Sequence, residues 1–212
     1  MFGIKKFVVN PLQENTYLIY DDTKECIIVD AGFYFDKEKE EVDSYLRENR
    51  LILKKLVNTH CHFDHLLGIS YLHDKYKVGF EAHEADSFLV DKAVSQGAMF
   101  GFEVDKVPPI DTFLREADPV EFGATQLRVI HVPGHSPGHV VLYSEKQNVL
   151  MSGDTLFYGS IGRTDLTGGD YNTLISGIKA KLLSLPDNTK VYSGHGPETS
   201  IGYERMHNPF LT

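Results

Sequence analysis

The stretch NTHCHFDHLLG (58–68) follows directly on the apolar run LILKKLV (51–57), and its reading decides the fold. Four side chains able to bind metal, His60, His62, Asp64 and His65, fall within positions 60–65. Aspartate is depleted in strands, and a polar cluster this dense gains little from packing, so ligation or catalysis explains it better than structure does. On an extended strand end His60 and His62, two apart, project to the same side and can meet one ion. Asp64 and His65 lie beyond the turn and point to a neighbouring position. One short segment can therefore serve two adjacent metal positions. Imidazole and carboxylate donors suit Zn²⁺, with Fe and Mn also accommodated.

Three further stretches share the pattern: VIHVPGHSPGH (129–139), LMSGDTLF (150–157) and YSGHGPE (192–198). Each places His or Asp beside glycine just past an apolar, strand-like run. That is where a rigid strand hands over to a loop and where functional groups collect.

Outward from these motifs, the chain reads as two β-rich halves, about 1–110 and 111–212. Strands are expected at 4–9, 15–20, 25–30 and 51–57. The segment 21–24 has turn chemistry, and 36–48 forms an amphipathic helix with Val42, Tyr45 and Leu46 on one stripe. Helices are expected at 66–75 and 83–94, and the Gly- and Pro-containing segment 96–110 closes the first half. The second half repeats the order, with strands at 119–122, 125–132, 140–144 and 148–152, a helix at 170–183 and a strand at 190–193. Strands then helix, twice over, predicts two sheets packed face to face with helices outside, in one domain spanning 1–212.

A length of 212 residues with 42% hydrophobic and 24% charged content suits a core that needs no staples. The net charge of −9 argues against a surface that tracks nucleic-acid phosphates. Cys26 and Cys61 make no disulfide framework, and no segment reads as a signal peptide or a membrane span. The expectation is a cytoplasmic protein with a small-molecule substrate and no nucleic-acid or membrane partner; oligomeric state is not legible. Cys61, between two ligands, points the opposite way and packs. His131 and His139 read as strand or loop packing; His73, His83 and His207 read as exposed or helix-terminal.

The set THCHFDH, PGHSPGH, SGDTLF and GHG resembles the metallo-β-lactamase superfamily over essentially the whole chain. NPLQENTYLI, GSIGRTD and NPFL look most like its glyoxalase II (hydroxyacylglutathione hydrolase) relatives. The resemblance implies an α/β (α+β) fold, a four-layer αββα sandwich with a dinuclear site at one edge. His60, His62 and His135 would hold the first metal, Asp64, His65 and His195 the second, and Asp154 would bridge them. It further implies hydrolysis of a thioester, S-lactoylglutathione or a related acyl-thiol, by a metal-bridging hydroxide held near catalytic Asp64. Two metals lower the pKa of a shared water from about 15.7 toward roughly 7, and a thiolate, of pKa ~8.5, departs without an obligatory proton donor. Lactamases of the superfamily carry cysteine where Asp154 stands, which argues against lactam cleavage. Asp30, in IIVDAG, and Arg163, with Asp165, are candidates to brace the site, and Tyr158 for the substrate mouth. Longer glyoxalase II enzymes add a C-terminal helical domain with much of the glutathione contact; this chain ends at Thr212, as a short form would. The alternative within the superfamily is a mononuclear iron persulfide dioxygenase, which is similar at THCH-x-DH, including Cys61, and at GRTD.

Overall fold

In the computed structural model, which describes residues 2–212, residues 3–113 supply one mixed sheet, whose last strand lies just past the expected 110/111 boundary between the halves. Its strands are β1 (Gly3–Val9), β2 (Glu14–Tyr20), β3 (Glu25–Val29), β4 (Ile52–Val57), β5 (Gly79–Ala82) and β6 (Thr112–Phe113), neighbours in that order. β1, β2 and β3 form an antiparallel meander, whereas β3 through β6 run parallel. Parallel neighbours need crossovers, and three helices provide them: α1 (Asp36–Glu48), α2 (Ile69–Tyr76) and α3 (Ser87–Met99).

The second half builds the other sheet from β7 (Val120–Phe122), β8 (Thr125–His131), β9 (Val140–Ser144) and β10 (Val149–Gly153). A short hairpin, β11 (Leu156–Phe157) and β12 (Ser160–Ile161), precedes α4 (Tyr171–Gly177), which continues as π-helical turns over Ile178–Leu182. Then come β13 (Lys190–Ser193), β14 (Thr199–Ser200) and α5 (Ile201–His207). The sheet order is β14-β13-β10-β9-β8-β7, with β10 and β13 parallel across the α4 crossover.

Side-chain alternation sorts these strands into layers. Tyr17, Ile19, Ile27, Val29 and Val57 face Leu127, Val129, Val140, Leu142 and Met151 between the sheets. Leu18, Ile28 and Leu56 point the other way, against Val42 and Leu46 of α1, Leu72 of α2 and Leu89 of α3. Ile130, Val141, Leu150 and Val191 pack on Leu174, Ile178 and Ile201. The result is the four-layer αββα sandwich. Fully burying each aliphatic side chain contributes about 1.5–3 kcal/mol.

Local chemistry sets the element ends. Glu38 accepts hydrogen bonds from the Tyr34 and Phe35 amides (2.8 and 3.1 Å), closing the start of α1 with the reciprocal half of a capping box. Helix α2 begins at Ile69, three residues past the expected start, because Phe63–His65 form a 3₁₀ turn first. Helix α3 begins at Ser87, not 83, because the His83 ring accepts the Ala85 amide and stabilises a 3₁₀ turn over Glu84–Asp86. The expected 170–183 helix changes register at Ile178 into π-helical turns. No helix among the described residues is long and apolar enough to cross a membrane.

Candidate metal centre

The centre lies where β4, β8, β10 and β13 end, the edge at which α/β sheets collect ligands. Strand β4 stops at Val57, so His60 and His62 do not sit on an extended strand end as expected. Asn58, fully buried, organises the loop instead: its side chain donates to the carbonyls of His60 (3.2 Å) and His65 (2.9 Å). The backbone thus curls round one amide, and the 3₁₀ turn brings Asp64 and His65 back toward the same point. Cys61 turns away into the core, as its position predicts, and burial pushes its thiol well above the usual range.

His60, His62 and His135 converge. His135 Nε2 stands 2.9 Å from His62 Nδ1 and 3.2 Å from His60 Nε2. Tetrahedral ligands about 2.0–2.1 Å from zinc stand roughly 3.3 Å apart, so this spacing matches one shared cation. Burial pushes the His62 imidazole down to about 3 and His60 well below its ordinary value, which keeps both in the neutral, ligating form.

Asp64, His65 and His195 form a second set. Asp64 Oδ2 lies 3.8 Å from His65 Nε2 and 3.3 Å from His195 Nε2. Asp154 stands between the two sets. Its Oδ2 is 3.6 Å from His135 Nε2 and 3.7 Å from His195 Nε2, and its Oδ1 is 3.6 Å from His65 Nε2. Burial opposes its ionisation, but His65, His195 and His135 outweigh that and hold the carboxyl far below the usual range. Asp154 Oδ1 and His65 Nε2 are buried without a hydrogen-bond partner, a costly state that a cation between them would relieve. Chemistry and spacing of the donors both fit divalent metal.

Outer partners orient the rings. His135 Nδ1 donates to the Arg163 carbonyl (2.8 Å) and His195 Nδ1 to the Leu12 carbonyl (3.2 Å). Thr59 Oγ1 donates to Asp30 Oδ2 (2.7 Å), so it accepts from His60 Nδ1 (3.1 Å). Each of these bonds places the proton on Nδ1 and leaves Nε2 as the donor atom facing the centre. Asp30 also accepts the Thr59 amide (2.7 Å) and lies 3.3 Å from His65 Nδ1. It takes a left-handed φ of 54°, strained for a non-glycine residue and consistent with a functional position.

Two further expected residues lie toward the surface. The Arg163 guanidinium is engaged by Asp165 in a two-bond pair at the surface (2.7 and 2.8 Å), so only its carbonyl touches the centre. Tyr158 is half exposed, stacks on Tyr203 and accepts a hydrogen bond from its hydroxyl (2.9 Å); its neighbour Phe157 packs on His195. Two residues do more than the sequence indicated: His139, expected only to pack, and Glu14, not singled out. His139 Nε2 accepts the Asp154 amide (3.0 Å) while its ring stacks on His60 at 4.8 Å. Glu14, fully buried, sits 3.7 Å from His65 Nδ1 and binds Thr16. The repeated P-G-H of PGHSPGH was a signal for His139; Glu14 had none beyond its place in NPLQENTYLI. The His195 side chain is 28% exposed, against 12% for Asp64 and 11% for Asp154, so the centre opens to solvent on its second-set side.

Comparison with known proteins agrees with this geometry. The model of the metallo-beta-lactamase superfamily matches residues 9–195. The hydroxyacylglutathione hydrolase GloC of Haemophilus influenzae is 38% identical over 211 residues, covering 99% of this chain and 98% of its own. The probable metallo-hydrolase YqgX of Bacillus subtilis is 36% identical, covering 98% and 96%. Among solved structures, TTHA1623 in a di-iron-bound form superposes with a TM-score of 0.88 at 36% identity, over 98% of this chain and 100% of that one. The BLEG-1 B3 metallo-beta-lactamase superposes at 0.91 with 38% identity, over 99% and 100%.

Proposed function

Because the chain belongs to the metallo-beta-lactamase superfamily, we propose that it is a glyoxalase II-like hydrolase that uses two divalent metals to cleave an acyl thioester such as S-lactoylglutathione. The single observation that carries this reading is the position of Asp154 between two complete donor sets. A metal pair held there supplies a lowered pKa for coordinated water and positive charge for a developing oxyanion.

The chain's own residues do the rest. His60, His62 and His135 would hold one cation, and Asp64, His65 and His195 the other, with the His60, His135 and His195 rings fixed by Thr59 and the Arg163 and Leu12 carbonyls. Asp64 Oδ2 is the carboxylate oxygen best placed to orient a reacting water, 3.3 Å from His195 at the solvent-facing side. Substrate enters past His195, between the loop at Leu12 and the hairpin carrying Phe157. A thiolate leaving group, with a thiol pKa of ~8.5, places no demand for a proton donor on a site that offers none beyond the metal-binding set. Zinc fits the nitrogen-rich donors, and the di-iron form of TTHA1623 makes iron the second metal to test.

The test is metal analysis of purified protein together with a substrate panel: S-lactoylglutathione, other acyl-thioesters, a chromogenic cephalosporin, and glutathione persulfide with an oxygen electrode. Thiol release from a thioester by protein holding about two metals per chain supports the proposal. Turnover of the cephalosporin alone, or oxygen uptake with the persulfide, replaces it with a lactamase or a dioxygenase respectively.

A further inference from the structure

Asp86 is fully buried and belongs to neither donor set, yet it touches both loops that supply the first set. It ends the Glu84–Asp86 turn, immediately before α3, where an aspartate ordinarily caps the helix; here its side chain makes no cap hydrogen bond. The carboxylate turns inward instead. Its Oδ2 accepts the Cys61 amide (3.0 Å) and the Ser136 hydroxyl (2.7 Å), and its Oδ1 accepts the Gly138 amide (2.6 Å).

The positions of those partners are specific. Cys61 lies between His60 and His62, Ser136 directly follows His135, and Gly138 precedes His139, which holds the Asp154 amide. A Cβ on Gly138 would stand 2.7 Å from the Asp86 carboxylate, so glycine there is what permits the close approach. The second donor set has separate supports. The Asp64 carbonyl is bound by Asn10 and the His195 ring by the Leu12 carbonyl, while Asn58 is shared, holding the His65 and His60 carbonyls together. None of these runs through Asp86.

We propose that Asp86 is a positioning residue that fixes the separation of the His60–His62 loop from the His135 loop, and so sets the affinity of the first metal site without acting on the second. The proposal rests on the two-metal reading above. An ionised carboxylate accepts strong hydrogen bonds from all three donors at once. An asparagine cannot, because its NH₂ group would face an N–H or O–H donor. Removing partners of this kind costs about 10–100-fold in metal affinity.

The experiment is Co²⁺ titration against a competing chelator, read by visible absorption, with D86N placed in two backgrounds. H195A disables the second set and reports the first; H62A disables the first and reports the second. The expected result is about 10–100-fold weaker Co²⁺ binding from D86N in the H195A background, with less than about threefold change in the H62A background. Equal weakening in both backgrounds reveals a merely structural role and overturns the proposal, as does no weakening in either. Should D86N fail to fold, S136A removes a single bond and carries the same test: severalfold weakening in H195A only supports the proposal, and any other pattern overturns it. Wild-type protein binding two Co²⁺ while D86N is unaffected sinks this inference alone. Wild-type protein binding fewer than two sinks the two-metal reading, and this inference with it.

Discussion

Gly194→Ala is the sharpest single perturbation that the geometry offers. A Cβ at position 194 would stand 2.2 Å from Asp154 Oδ1 and 2.8 Å from His65 Cε1. The backbone cannot retreat, because Gly194 N donates to the Gly153 carbonyl (2.8 Å) and its own carbonyl accepts the Asn15 amide (2.7 Å). The Asp154 carboxylate must therefore shift by about 1 Å to restore van der Waals contact. Overpacking of this kind costs about 1–3 kcal/mol, which lowers Tm by roughly 2–12 °C for a chain of this size. A misplacement of about 1 Å at a reacting centre costs on the order of 100-fold in rate. Thiol release, metal content per chain and a thermal melt report the three effects. Gly196→Ala is the control two residues on. Its φ of +76° makes alanine strained by about 1–2 kcal/mol, but nothing lies within 4 Å of the new Cβ. It should lose stability while keeping both metals. Were Gly194→Ala to keep its full rate, both metals and an unchanged Tm, the placement of Asp154 between the two sets would be wrong.

Other outcomes follow from the same geometry. Loading metal-free protein with Zn²⁺ at about 100 times Kd should stabilise it by about 2.7 kcal/mol and raise Tm by roughly 5–11 °C, read by differential scanning fluorimetry; an unchanged Tm refutes a folded-state metal site. For Asp21, burial opposes ionisation, but hydrogen bonds from Thr23, Thr125 and Ala124 outweigh it and hold the carboxyl below its usual range. Its folded pKa is depressed, so its stabilisation is present above the unfolded value of ~3.9 and lost as pH falls through that range. Asp21→Asn should therefore cost about 1–3 kcal/mol at pH 7, and the difference from wild type should shrink as acid titrates the folded carboxyl, in urea titrations run across pH. Phe33, fully buried and packed edge-on to Phe7 at 5.6 Å, should cost about 3–5 kcal/mol on change to alanine while metal stoichiometry stays at the wild-type value.

The layers were legible where side-chain period carried them. The stripe Val42, Tyr45, Leu46 marks α1, whose bounds coincide with the expected 36–48, and the long strands of both sheets lie within about a residue of expectation. What escaped was set by partners distant in sequence. β5 is four residues long, and β6 and β14 have two each, so their identity comes from pairing with β4, β5 and β13. Helix α5 is seven residues, too short for a convincing stripe. The donor residues were legible from motif density, and the structure brings them together. The way they converge was not, because it depends on the buried amide of Asn58 and not on strand pleating. His139 and Asp86 stayed hidden for a similar reason: each acts on a backbone amide contributed by another segment.

Neither sheet owns a metal position. The loop after β4 brings His60 and His62 to the first set, while His135 comes from the loop after β8 in the other sheet. The second set is divided the same way, with Asp64 and His65 from the first half and His195 from the second. Each cation would thus act as a rivet through the seam between two separately woven layers. Fragments cut within the 114–119 connection would each carry an unfinished chelate, and their reassembly would strengthen with metal concentration. Occupancy and cohesion of the sandwich become one equilibrium seen from two ends.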